Sequence, residues 1–154
     1  FENTNFFFSQ SNADPGAKII SKLAQKFSNK NKSRSIFFKS LGQVKFLSLL
    51  KCVDVLIGNS SSGILEAPHL KKAVVNIGDR QKNRLFSSNI INCKPITKDI
   101  TKAIKKSISK KFVKKLPKTT SYYGNGGASR KCIKILKRFD LQNILFKDFF
   151  DLKV

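Results

Sequence analysis

Histidine occurs once in this 154-residue chain, at position 69, while methionine and tryptophan do not occur at all. A single histidine leaves no material for a His-rich metal centre or an internal Ser-His-Asp triad. Cysteine is also sparse: Cys52, Cys93 and Cys132 are odd in number and lack metal-type spacing, so no metal site is expected. Cys52 and Cys132 lie in helical apolar patterns, and reduced, buried thiols are the expectation for both. No apolar run is long enough to cross a membrane and no secretory leader is visible, which points to the cytoplasm. Acids are few as well, 9 against 31 Lys and Arg, and the net charge is +22.

What remains is a folded domain. Hydrophobic residues make up 40%, and the length suits one core rather than two full lobes. A charge of this size raises the possibility of a basic nucleic-acid-binding module. The lysines, however, are spread from Lys18 to Lys153, mostly on the far side of apolar stripes, and aromatics are not interleaved with them. They accompany abundant Asn, Ile, Phe and Ser, a composition that a nucleotide bias in the source genome also produces. The positive field suits an anionic small-molecule substrate.

The most informative stretch runs from Val53 to Gln81. Val53, Val55, Leu56 and Ile57 form a short β-branched run typical of a buried strand. Gly58-Asn59-Ser60-Ser61-Ser62-Gly63 follows, then a helix opening at Ile64-Leu65-Glu66-Ala67, with Ser60 to Ser62 as acceptable N-caps. Ala73-Val74-Val75-Asn76-Ile77 is a second apolar run, and Gly78-Asp79-Arg80-Gln81 leaves it. Strand, loop, helix and strand make a βαβ unit whose first loop sits where open α/β sheets bind ligands. Amides at a helix start, with the hydroxyls of Ser60 and Ser61, form a seat for phosphate. Glu66 can accept hydrogen bonds from a ribose diol, and Arg80 adds a fixed positive charge. The same residues also fit an N-capped helix with a surface glutamate and a solvated arginine.

Around this unit the pattern alternates. Residues 4–9 read as a strand, with Phe6, Phe7 and Phe8 covered on both faces. Asp14 and Pro15 are placed as N-cap and first residue of a helix bearing Ile19, Ile20, Leu23, Ala24 and Phe27. A strand over 35–39 leads through Ser40-Leu41-Gly42 into a helix over 43–51 that buries Val44, Phe46, Leu47, Leu50 and Cys52. A polar segment spans 79–86, and residues 88–93 form a further strand. Thr97 caps a helix with Ile100, Ala103, Ile104, Ile108 and Phe112 as its stripe; its lysine-rich face also suits a membrane surface, but a sheet needs such a cover. Residues 114–120 read as a linker, and Ala128, Cys132, Ile135, Leu136 and Phe139 as the stripe of a last helix. Residues 141–149 form a short apolar end.

GNSSSGILEAP followed by VVNIGDRQ resembles the signature of the hydrolysing UDP-N-acetylglucosamine 2-epimerases, which feed sialic and legionaminic acid synthesis. Asn12-Ala13-Asp14-Pro15-Gly16, Ser40-Leu41-Gly42 with Phe46-Leu47-Ser48-Leu49-Leu50, and Tyr123-Gly124-Asn125-Gly126 extend the resemblance, in order, over most of the chain. The SDSGG-QEE loop and TERPE-like segment expected of the non-hydrolysing epimerases are absent. Where the family usually has glycine this chain has Asn83, which tolerates a left-handed backbone.

The resemblance implies an α/β fold, a Rossmann-like parallel sheet covered by helices, forming the C-terminal lobe of a GT-B enzyme over residues 1–154. The chain starts inside a strand and without methionine, so it reads as the C-terminal part of a longer protein. The implied reaction is elimination of UDP from UDP-N-acetylglucosamine to a 2-acetamidoglucal, then addition of water to give N-acetylmannosamine. UDP and substrate would be bound by Asn12 near uracil or phosphate, the main chain of Leu41, the helix-start amides of Ser61, Ser62 and Gly63 with the hydroxyls of Ser60 and Ser61, Glu66 at the ribose, and Arg80. No cofactor is implied. The proton-moving carboxylates and a histidine belong to the missing N-terminal lobe, so no catalytic residue is placed in this chain. Partners implied are the UDP-sugar, that N-terminal lobe and, as is common in the family, further copies of the enzyme. Two alternatives stay open at this stage: another GT-B nucleotide-sugar enzyme such as a non-hydrolysing epimerase, and the basic nucleic-acid module.

Overall fold

A computed structural model describes residues 1–11, 15–142 and 145. The chain divides into two compact units, residues 1–122 and 123–154. The first carries β1 (Phe6–Ser9), α1 (Ala17–Lys30), β2 (Ser35–Phe38), α2 (Gly42–Cys52), β3 (Val55–Gly58), α3 (Ser62–Leu65), β4 (Ala73–Ile77), β5 (Ile90–Cys93), α4 (Thr97–Ser107) and α5 (Lys110–Val113). The second carries α6 (Ala128–Leu136). Pairing is parallel throughout, as the βαβ pattern predicts, and falls into two groups, β1-β2 and β3-β4-β5.

The three-stranded sheet shows why the apolar runs are continuous. Successive side chains on a strand point to opposite faces, and here both faces are covered. Val74 packs with Leu50 of α2 and Ala67 just past α3, joined by Phe46, Leu56 and Leu70. Its neighbour Val75 packs on the other side with Ile91 and Ala103 of α4, joined by Val55, Ile104 and Phe112 of α5. The parallel step from β4 to β5 runs through residues 78–89, which contain no helix or strand.

Several expectations are corrected. Phe6 and Phe8 pack in T-shaped fashion with Phe27 of α1, ring centroids 5.6 and 5.7 Å apart, but Phe7 points to the other face and is 48% exposed. On α1 the inward positions are small: Ala17, Ser21, Ala24 and Ser28 are at least partly covered, whereas Ile19, Ile20 and Leu23 are exposed. Gly16, in a left-handed conformation, is the N-cap of α1, so the helix starts two residues after Pro15; Asp14 lies outside the described residues. Val44 of α2 is 78% exposed, one turn before the outward Ser48, whose hydroxyl donates to its carbonyl at 2.9 Å. Cys52 and Cys132 are free and exposed rather than buried.

The single helix expected from residue 97 to 112 is two. Ile96 is its N-cap in extended conformation, Thr97 is already helical, and the chain leaves the helix after Ser107. The hydroxyls of Ser107 and Ser109 donate back to the carbonyls of Ile104 and Lys106, both at 2.8 Å. Such local bonds compete with the helical ladder, and Ser109 then caps α5. The segment taken for a linker is docked: Leu116 and Thr119 are buried, and the Lys71 ammonium donates to the Thr119 carbonyl. In the second unit, the apolar residues of α6 are exposed, including Ile133, Ile135 and Leu136. Of the apolar end over 141–149, most lies outside the described residues. No helix among the described residues is long and apolar enough to cross a membrane.

Candidate functional site

In a parallel sheet the loops that follow β3 and β4 leave from the same edge. The first is Asn59 to Ser61, the second begins at Gly78. They meet at one atom, the Asn59 carbonyl oxygen. Arg80 donates to it through Nη1 at 3.2 Å and Gln81 through Nε2 at 2.8 Å. A guanidinium is therefore fixed beside the serine loop, although the two lie 21 residues apart in sequence.

Two glycines shape this loop. Gly58 ends β3 with φ 147°, a conformation that side chains strain. Gly63 is buried, and a Cβ there would stand 2.8 Å from Val74 Cγ1 of β4. Gly63→Ala is thus expected to cost about 1–3 kcal/mol of stability through overpacking, read as a lowered denaturant midpoint; the loss should shrink in the Val74→Ala background.

The helix after the loop is shorter than expected. α3 is a single turn, and its N-cap Ser61 makes no side-chain capping bond. One turn supplies little macrodipole, so an anion at this loop would have to be held by individual amides. Those also differ from the expected set. The Gly63 N–H donates to the Ser60 carbonyl at 3.2 Å and the Ser62 N–H to Ser60 Oγ at 3.3 Å. Among the described residues no hydrogen bond occupies the N–H of Ser60 or Ser61. The open donors lie one residue earlier than the sequence pattern suggests. Ser60 Oγ and Ser62 Oγ lie 3.4 Å apart.

Glu66 follows α3 as its C-cap and is half-buried. Its Oε2 is buried and has no hydrogen-bond partner among the described residues. A carboxylate oxygen so placed is an acceptor waiting for a donor, because an unpaired buried acceptor is costly. Leu41, half-buried, is the N-cap of α2 at the end of β2; no hydrogen bond among the described residues ties it to the serine loop. Asn12 lies outside the described residues. Asn83 has φ 68°, so the turn that glycine would make is made by asparagine.

A cavity of about 610 Å³ opens on the other flank of this edge, lined among others by Asn76, Phe86, Asn92, Cys93, Lys102 and Lys106. Burial, and then the Asp99 carboxylate, push the Cys93 thiol upward, so it stays protonated and a weak nucleophile near neutral pH. Among the described residues no group of three or more His, Cys, Asp or Glu is placed to hold a metal ion. Gln81 is the site residue that the sequence pattern did not single out. It is neutral and belongs to no period, and only its contact across 22 residues distinguishes it.

A parallel α/β domain with a glycine-serine loop at its carboxyl edge is of the Rossmann-like class. Comparison with known proteins narrows this: a family model for UDP-N-acetylglucosamine 2-epimerase matches residues 1–137, and the chain belongs to that family. It is 41% identical over 152 residues to a GDP/UDP-N,N'-diacetylbacillosamine 2-epimerase (hydrolyzing) of Campylobacter jejuni, covering 98% of this chain and 39% of that protein. It is 37% identical over 155 residues to the polysialic acid biosynthesis protein P7 of Escherichia coli, with 99% and 39% covered. A UDP-N,N'-diacetylbacillosamine 2-epimerase (hydrolyzing) of Legionella pneumophila is 33% identical over 132 residues, with 86% and 33% covered. The chain thus spans at most 39% of the length of these relatives.

Proposed function

We propose that this chain is the UDP-binding C-terminal lobe of a two-lobed, GT-B-type hydrolysing 2-epimerase. The observation that carries the reading is the meeting of Arg80 with the serine loop at the Asn59 carbonyl, beside the open amides of Ser60 and Ser61. In the proposed reaction UDP-N-acetylglucosamine and water give N-acetylmannosamine and UDP. The C2 proton and the C1–O bond are lost first, leaving a 2-acetamidoglucal, and water then adds across its double bond.

Charge develops on the departing diphosphate, and fixed donors aimed at it act with little reorganisation. The Ser60 and Ser61 amides and the hydroxyls of Ser60 to Ser62 fill that role, and Arg80, beside them at the Asn59 carbonyl, adds a positive charge. Gly63 brings the loop close to β4, and Glu66 accepts from the ribose hydroxyls and so sets the register of the sugar. Leu41 offers main-chain groups to uracil, with Asn12 nearby. The groups that move the C2 proton reside in the other lobe. Such an enzyme is cytoplasmic, oligomeric, and feeds sialic or legionaminic acid synthesis. A second reading is favoured by the names of two relatives, which specify a diacetylated sugar: the substrate then carries two acetamido groups.

Titrated with UDP, the 154-residue chain is expected to bind weakly, with shifts at the Ser60 and Ser61 amides, and to release no free sugar from UDP-N-acetylglucosamine. Shifts confined to other residues would overturn the site; turnover by the chain alone would overturn the division of labour. Assaying the longer protein on mono- and diacetylated UDP-sugars decides between the two substrates.

A further inference from the structure

Of the two side chains that converge on the Asn59 carbonyl, the neutral one makes the shorter bond and is the better buried. Gln81 is 3% exposed and holds that oxygen at 2.8 Å, against 3.2 Å for the exposed Arg80. Its amide orientation is not interchangeable, since the flipped form would set Oε1 against the carbonyl oxygen. Oε1 is itself buried and has no partner among the described residues. So poor a setting for an amide has no packing rationale, because a thioether of similar length would leave nothing unpaired.

The peptide joining Asn59 to Ser60 is planar and trans, so its C=O and N–H point in opposite directions. Whatever holds the carbonyl therefore aims the Ser60 N–H, one of the open donors. The geometry points to Gln81 as a positioning residue: it fixes the Asn59–Ser60 peptide so that the Ser60 amide faces the diphosphate, and it keeps that peptide fixed when Arg80 exchanges the carbonyl for phosphate. Arg80 is thereby the mobile donor and Gln81 the permanent tie. This inference rests on the diphosphate reading above.

The test compares UDP affinity and thermal midpoint for the wild-type chain, Gln81→Met and Gln81→Glu. Gln81→Met should weaken UDP binding about tenfold while holding or raising the midpoint, because it removes an unpaired buried oxygen. Arg80→Ala should cost at least as much affinity in the Gln81→Met background as in wild type, because neither of the two side chains is then left to hold the Asn59 carbonyl. Gln81→Glu keeps the volume if methionine packs poorly. It should lose affinity near neutral pH and regain part of it, relative to wild type, as acid protonates the carboxyl and restores a donor. Unchanged UDP affinity in both variants, or a lowered midpoint with unchanged affinity, would overturn the inference and leave the diphosphate reading standing. Failure of the wild type to bind UDP would remove both.

Discussion

Arg80→Ala is expected to weaken UDP binding about a hundredfold. A guanidinium can give a phosphate two parallel charge-assisted hydrogen bonds, each stronger than a neutral one, and the estimate allows for screening at an exposed position. Arg80→Lys should recover only part of the loss, since ammonium keeps the charge but not the planar fork. The difference between wild type and Arg80→Ala should also narrow as salt rises, whereas a structural defect would persist in salt. The fold should survive, because Gln81 still holds the Asn59 carbonyl. Calorimetric titration at two ionic strengths measures all of this. Equal affinities for wild type and alanine variant would mean that Arg80 only braces the loop.

Glu66→Ala is expected to lower UDP affinity about thirtyfold without lowering the thermal midpoint. Among the described residues its Oε2 has no hydrogen-bond partner, so truncation removes an unsatisfied buried acceptor and takes little from the fold. In the proposed complex the same oxygen accepts from a ribose hydroxyl. The decisive comparison uses 2'- and 3'-deoxy-UDP. Wild type should prefer UDP to at least one of them, and Glu66→Ala should lose that preference. If the alanine variant unfolds earlier and discriminates as before, Glu66 is a structural residue.

The β3–loop–β4 unit was legible in the sequence because two short apolar runs flank a glycine-serine segment too small and polar to extend either strand. Val74 and Val75 explain the rest of that success: consecutive apolar residues are needed only when both faces of a strand are covered, and they are. The same rule misled at Phe7, where only one face of β1 is covered. Periodicity also cannot rank the two sides of α1, whose alanines and serines pack inward while its isoleucines and leucine do not. Distance in sequence hid the remainder. Thr119 is buried through contacts with Lys71 and Ser88, 48 and 31 residues away, and Gln81 reaches back 22 residues to Asn59. Serines can cap a helix or interrupt it: Ser107 ends α4 and Ser109, just beyond it, caps α5.

The outward isoleucines and leucine of α1 sit among Lys18, Lys22 and Lys26. In dilute buffer, like charges keep two such surfaces from meeting. At physiological ionic strength that repulsion reaches only about 8 Å, whereas the attraction between greasy surfaces in water does not depend on charge. Added salt therefore makes this polypeptide stickier, and its colloidal behaviour is governed by its lysines rather than by the quality of its packing.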